Sequence, residues 1–297
     1  MKPGRFSYHA PTSVAEALDL LDEHAGEAKV LAGGQSLMPL LAFRMAAPEH
    51  IVDINRLPGL DTPERTPSGW RLPALVRQRA VERSTELARE LPLLRQALVQ
   101  VAHPQIRNRG TVCGSLAHAD PSAELPAVMT ALDARMQVAA RSGERTVAAE
   151  DFFVFHLTTA LEPEEVLLGV EIDDLPPGTR TSFQEFATRH GDFGLASVAA
   201  VVTRAADGTV ERCRLVAAGV AATPQRLRAA EDAVLGSRLE PQALVAAERA
   251  VHREVSPTGD VHASADYRRQ LVSVLARRAL AATAQDAPHE KGSEHAA

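Results

Sequence analysis

The sequence predicts an α+β protein of two domains, and three observations predict it. The chain has 297 residues, long for a single hydrophobic core. It opens with a β-α-β pattern whose first turn carries Gly33-Gly34 between two apolar runs. The breaker "DDLPPGTR" (173–180) then separates this region from three consecutive strand-like stretches followed by three helical ones. The expected division is a first domain over 1–175, with subdomains 1–56 and 57–175. A smaller α+β domain over 178–284 follows, with a three-stranded antiparallel sheet and helices, and then a polar, disordered tail over 285–297.

The first helix is signalled by Ser13 and Glu16, a capping box, and by Val14, Ala17, Leu18 and Leu21 at helical spacing; Gly26 ends it. "AKVLA" (28–32) reads as a short strand. "SLMPLLAFRM" reads as a short helix that tolerates Pro39 in its first turn, with Ser36 as its cap. "HIVDIN" (50–55) is a second strand, and "WRLPALV" is strand-like. Residues 83–102 read as one or two helices broken near Pro92. The segment from His103 is irregular until a helix begins near Ala123. A hairpin turning at Ser142-Gly143 and a buried strand over 165–172 complete the first domain. Beyond the breaker come "TSFQEFAT", "GLASVAAVVTR" and "TVERCRLVAAGV", then helices near 224–235, 240–252 and 266–283.

Composition excludes several classes. The formal net charge is −6, and only Lys2, Lys29 and Lys291 of the 32 basic residues are lysine, so no basic field attracts nucleic acid. Cys113 and Cys213 are too few for a disulfide framework, a cysteine-ligated iron–sulfur cluster or a four-cysteine zinc site. No apolar run approaches the roughly 20 residues of a membrane span, and the N-terminus lacks a signal-peptide core, so a cytoplasmic location is expected. Eleven histidines are scattered without a paired spacing or a Ser/His/Asp arrangement, so neither a metal site nor a catalytic triad is expected.

Two glycine segments carry the chemistry. In "LAGGQSL" the glycines permit positive φ and close approach to the backbone, and the amides before a helix suit an anion. In "RNRGTVCGSLAHADPSAELP" (107–126), Gly114 and Ser115 offer further amides and a hydroxyl, while Asp120 and Glu124 suit hydroxyls rather than phosphate. Together they suit a dinucleotide with a polyol linker. Neither the G-x-G-x-x-G fingerprint nor the lysine-bearing P-loop is present.

"AGGQSL" followed by "RNRGTVCGSLAHADPSAELPA", with "TTALEPEEVLLGVEI" and "FQEFATRHGDFGLASVAAVV", resembles the FAD-binding medium subunit of the molybdenum hydroxylases, of carbon monoxide and xanthine dehydrogenase type. The resemblance spans nearly the whole chain. It implies a two-subdomain FAD-binding domain of the vanillyl-alcohol-oxidase/PCMH type and non-covalent FAD. It also implies partners: a large subunit with the molybdenum cofactor and a small subunit with two [2Fe–2S] clusters, as a dimer of heterotrimers. Electrons would pass from the clusters to FAD and on to an external acceptor, with no catalytic base in this chain. Ala32, Gly33, Gly34, Gln35, Ser36 and Leu37 match the first pyrophosphate motif. Thr111, Val112, Cys113, Gly114 and Ser115 match the second, with Ala117, Asp120 and Glu124 following toward the ribityl chain. Asp192 and Phe193 match the segment beside the isoalloxazine, and Leu161 and Leu167 an apolar stretch that approaches it.

Departures from the family pattern are Cys113 in place of a glycine, Phe193 where relatives have Tyr or Trp, Glu185 near a lysine position, and Pro73 where a glycine amide is common. The competing reading is a self-contained flavin oxidase or dehydrogenase of the same fold. A covalent His118–flavin link is outweighed by a loop-stabilising hydrogen bond from that side chain. Arg107 and Arg109 suit either phosphate or ion pairs within the loop. The arginines of 266–283 suit a docking face or a solvated one.

Overall fold

The computed structural model describes residues 2–284; the tail read as disordered lies outside them. The chain opens with β1 (Ser7–His9), α1 (Val14–Glu23), β2 (Ala28–Leu31), α2 (Leu37–Ala42) and β3 (His50–Asp53). The three strands form a parallel sheet in the order β1-β3-β2. The expected capping box is present in modified form. Ser13 accepts from the Glu16 amide, and Glu16 reaches back to the amide of Thr12 at 2.8 Å, one residue before the cap. Ala17, Leu18 and Leu21 are buried in a core that this sheet shares with Ala74, Leu75, Ala139, Val166 and Leu168 of the next region. Ser36, expected to cap α2, does not: its backbone is already helical and its side chain accepts no capping bond.

The second region holds β4 (Glu64–Thr66), β5 (Gly69–Pro73), α3 (Gln78–Arg83), α4 (Thr85–Glu90), α5 (Pro92–Leu98), α6 (Pro104–Arg109), α7 (Val112–His118) and α8 (Glu124–Ala131). Then come β6 (Arg135–Ala140), β7 (Gly143–Ala148), α9 (Ala149–Phe152), β8 (Phe153–Phe155), β9 (Thr158–Thr159) and β10 (Val166–Asp173). An antiparallel sheet runs β4-β5-β10-β6-β7, while β8 and β9 pair separately. Pro73, which has no amide to donate, stands opposite Gly169, beside a bulge in β10, where the ladder is already irregular. The segment expected to be irregular up to Ala123 contains α6 and α7. Pro104 occupies the first turn of α6, and the Thr111 hydroxyl caps α7 by accepting from the Gly114 amide at 2.9 Å.

The third region is β11 (Thr179–Phe186), β12 (Ala196–Arg204), β13 (Val210–Ala218), β14 (Gln225–Arg226), α10 (Arg228–Val234), α11 (Pro241–Glu254) and α12 (Ala265–Ala284). Its antiparallel sheet has the three expected strands and a fourth, the two-residue β14, on its edge. β12 is apolar on both faces because both are covered. Val198, Ala200 and Val202 belong to the core shared with α10–α12, whereas Ala199 and Val201 belong to the main core of the second region.

Candidate functional site

The two glycine segments meet. β2 ends at Leu31, and the chain turns through Ala32-Gly33-Gly34 beside the end of α6. A Cβ on Gly33 would strike the Arg109 carbonyl oxygen and lie 2.8 Å from the Gly110 Cα. The missing side chain at Gly33 therefore lets the second loop press on the first, a different task from exposing backbone to a ligand. Gly34 has φ +72°, and a Cβ there would lie 3.2 Å from both Leu31 and Met38. Across the same seam Gly114 lies next to the Ala32 side chain.

A polar clip holds the seam. The Asn55 amide group donates to the Ala32 carbonyl at 2.8 Å, and its oxygen accepts from Arg77 at 2.6 Å. Arg77 donates in turn to the Arg109 carbonyl at 2.5 Å. The second loop is also tied to the start of α3: Gln78 donates to the Gly110 carbonyl and Val112 to the Val76 carbonyl. Asn55 and Arg77 were not among the residues singled out from the sequence, since neither belongs to a glycine motif and their partnership spans 22 residues.

The two loops differ in what they present. Among the described residues, the amides of Gly33, Gly34, Gln35 and Ser36 donate to no group of the chain. Gln35 folds its side-chain amide back onto the Gly33 carbonyl, and the half-buried Leu37 begins α2. In the second loop the Gly114 and Ser115 amides, expected as ligand donors, are spent inside α7 on the Thr111 hydroxyl and carbonyl. Val112 and Cys113 point into the core. Cys113 has an ordinary helical backbone; its thiol faces the Leu72 carbonyl at 3.5 Å, and burial pushes it up to about 12, so it is packed and unreactive. Ser115 stays half-buried and Ala117 exposed on the outer side of α7.

The chain beyond α7 is equally constrained. Ala119 closes the helix in the left-handed conformation, and Asp120 accepts from the Ser122 amide at 2.8 Å. His118, half-buried in the last turn, makes no side-chain hydrogen bond among the described residues, contrary to expectation, and burial lowers its pKa. Glu124 starts α8 almost fully buried; burial, then the nearby Glu185, push its carboxyl up to about 8. Burial alone raises Glu185 to about 7, and its Oε2 has no partner among the described residues. Arg107 is not free for an anion, because it is buried in an ion pair with Glu82 and donates to the Val101 carbonyl. Arg109 leaves its side chain exposed.

The β11–β12 loop comes from the third region. Gly191 packs on the His103 ring just before α6, and Asp192 and Phe193 are exposed, Phe193 by 70%. Arg268 of α12 anchors the end of this loop, donating to the Leu195 carbonyl at 2.5 Å and to Asp260 at 2.7 Å. Of the four α12 arginines, Arg268 is thus turned inward and Arg269 pairs with Asp266, whereas Arg277 and Arg278 are exposed. Leu167 is buried in the main core and Leu161 packs at its edge. Two surface clefts, one of about 380 Å³ along α11 and one of about 90 Å³ beside Asp133 and Arg212, are lined by none of these residues. The glycine loops form an open ledge.

Free strand-to-helix amides with a neighbouring hydroxyl and carboxylate suit a dinucleotide, in a chain without the Rossmann fingerprint. Comparison with known proteins is more specific. Residues 4–174 match the family described as the FAD binding domain in molybdopterin dehydrogenase, and residues 181–283 the CO dehydrogenase flavoprotein C-terminal domain. The chain is 40% identical to the 6-hydroxypseudooxynicotine dehydrogenase complex subunit alpha of Paenarthrobacter nicotinovorans, over 95% of each chain. It is 36% identical to the carbon monoxide dehydrogenase medium chain of Hydrogenophaga pseudoflava, over 94% of this chain and 97% of that one. The carbon monoxide dehydrogenase structure from Hydrogenophaga pseudoflava superposes with a TM-score of 0.92 at 37% identity, covering 95% and 98% of the two chains. Quinoline 2-oxidoreductase from Pseudomonas putida 86 gives 0.91 at 35% identity, covering 96% and 99%. The chain belongs to the FAD-binding medium subunits of the molybdenum hydroxylases and is an oxidoreductase component.

Proposed function

We propose that this chain holds non-covalent FAD across the paired glycine loops, receives electrons from [2Fe–2S] clusters of a small partner subunit and delivers them to an external acceptor. A large partner subunit would carry the molybdenum cofactor and oxidise the substrate, in a cytoplasmic dimer of heterotrimers. The observation that carries the reading is the seam: two glycine loops locked by Asn55 and Arg77, with the Gly33–Ser36 amides left without partners among the described residues. Those amides would hold the diphosphate. The Ser115 hydroxyl and the Asp120 and Glu124 carboxyls are suited to the polyol, and the exposed Phe193 ring to the flavin plane. Bound FAD supplies two-electron storage; the protein supplies position and electrostatics. Glu124, raised to about 8, stays mostly protonated at neutral pH, and burial raises Glu185 to about 7, so negative charge beside the second loop is reduced. The absence of a cysteine-rich insertion supports placing the clusters in a partner, since two cysteines cannot ligate one.

Native purification tests the reading. The expected result is this chain with a large and a cysteine-rich small subunit, showing flavin and iron–sulfur absorbance. A yellow homo-oligomer that oxidises a small substrate unaided would overturn it, as would a colourless chain that takes up no FAD.

A further inference from the structure

The fold gathers three histidines far apart in sequence. His9 ends β1, His24 caps the C-terminus of α1, and His50 begins β3. On β1, His9 lies two residues beyond Ser7, the register partner of His50, so both imidazoles project from the same side of the parallel sheet. His9 Nε2 lies 3.0 Å from His50 Nδ1. The His24 ring stacks on His50 with centroids 3.6 Å apart and planes 14° from parallel, and His9 and His24 are 5.4 Å apart. One ligand nitrogen from each of the three falls within 4.8 Å of the others.

We infer that His9, His24 and His50 form a binding site for a divalent transition-metal ion of the imidazole-preferring class, such as Zn²⁺. Three protein nitrogens around one point leave a fourth tetrahedral position open. Ligand nitrogens around tetrahedral zinc stand about 3.3 Å apart at Zn–N of about 2.0–2.1 Å, so the His9–His50 spacing is already near that, whereas the His24 ring, stacked nearly parallel on His50, must turn about its side-chain bonds to aim its nitrogen at the same ion. Imidazole donors select Zn²⁺, Ni²⁺ or Cu²⁺ over Mg²⁺ and Ca²⁺.

The backbones are held in advance. His24 donates its amide to Leu20, and its carbonyl accepts from Glu27 and Ala28; the His50 amide bonds the Glu27 carbonyl. The Glu27 and Glu49 carboxylates form a second group with His50, also within 4.8 Å, suited to orienting that ring or filling the open position. His24 and His50 lie at the far end of the sheet from the glycine turn, since β2 spans its four residues, about 13 Å, between them; His9 aligns with Val30 through Val52 but stands two strands away, on β1. A bound ion would clip β1 and β3 to the end of α1.

The test uses the untagged full chain, stripped with a chelator and titrated with Zn²⁺ by calorimetry. One equivalent is expected to bind and to raise the melting temperature. His24→Gln changes a position whose backbone alone makes the helix cap, so the variant keeps its fold; Zn²⁺ affinity is expected to drop at least about tenfold while FAD content stays unchanged. His50→Ala should do the same. No saturable Zn²⁺ uptake by the wild type, uptake unaltered in both variants, or equal binding of Mg²⁺ overturns the inference. Because FAD content is read separately, failure here is distinct from failure of the flavin assignment.

Discussion

Gly34 and Gly33 sit side by side and do different things. Gly34 holds φ +72°, where a β-branched residue carries strain of about 1–3 kcal/mol, and its Cβ would crowd Leu31 and Met38. Gly34→Val is therefore expected to abolish FAD retention, measured as the flavin-to-protein absorbance ratio. Gly34→Ala should weaken retention partially. A fully loaded Gly34→Val protein would show that the diphosphate lies elsewhere. At Gly33 the obstacle is backbone, the Arg109 carbonyl and Gly110, which cannot swing aside as a side chain can. Gly33→Ala should cost stability as well as flavin, visible as a lowered melting temperature of the FAD-free protein.

Glu124 makes a second residue-scale prediction through its protons. Its carboxyl is raised from the ordinary 4.5 to about 8, so the folded chain holds a proton that the unfolded chain has released. The stability it contributes is full below about 4.5 and is lost as pH rises through about 8. Glu185, raised to about 7, acts in the same direction over the lower part of that window. At about 1.4 kcal/mol per pH unit for one proton, Glu124 alone accounts for one to a few kcal/mol. Urea titrations of the FAD-free chain at pH 5.5 and 8.5 should show the wild type losing stability at the higher pH. Glu124→Gln should lose distinctly less. Equal pH dependence in the two proteins would rule out Glu124 as the source.

Among the elements, the seam depends on a strand end, a 3₁₀ turn and two short helices. Asn55 sits in the turn 54–56 after β3, where Asp53 caps it, and Arg77 lies just before α3. Arg77→Met removes both guanidinium bonds and leaves the Asn55 oxygen and Arg109 carbonyl without that donor, a loss of about 1–3 kcal/mol. Fluorescence titration should report weaker FAD binding with the amides of the first loop untouched. Much of this element level was readable in the sequence. Ser13 and Glu16 announce α1, Pro39 is tolerated early in α2, and the apolar run "GLASVAAVVTR" (194–204) announces the strand found at Ala196–Arg204. α6 and α7 were not readable, because six- and seven-residue helices show barely two turns of period, and α7 carries Gly114 inside it. Pro104 at a helix start and Thr111 three residues before Gly114 were the available signals. The glycine motifs showed where a diphosphate could sit, but Asn55–Arg77, Arg268–Leu195 and Glu124–Glu185 are tertiary pairings that no local spacing encodes.

For the whole molecule, one core crosses from the FAD-binding region into the C-terminal one. Phe183, Ala199, Val201, Val216 and Ala218 of the antiparallel sheet lie in the same cluster as Leu94 and Leu98 of α5 and Leu125, Val128 and Met129 of α8. The Gly219 amide also donates to the Pro121 carbonyl at 2.8 Å, next to the second loop. The loop bearing Asp192 and Phe193 likewise rests on His103 of the FAD-binding region through Gly191 and is held by Arg268 of the C-terminal one. Unfolding should follow that shared core, as one calorimetric transition rather than two. Ala199→Asp tests it by placing an unpaired charge at the junction, where the fully buried Ala199 stands between Phe183 and Val216 in the sheet, at a cost of about 3–5 kcal/mol. A common core predicts that the single transition moves down as a unit and that FAD binding weakens with it, although Ala199 lies among the core residues of β12, away from both glycine loops in the sequence. Two transitions, with only the later region's shifted and FAD affinity unchanged, would mean that the C-terminal region is an independent passenger on the flavin site.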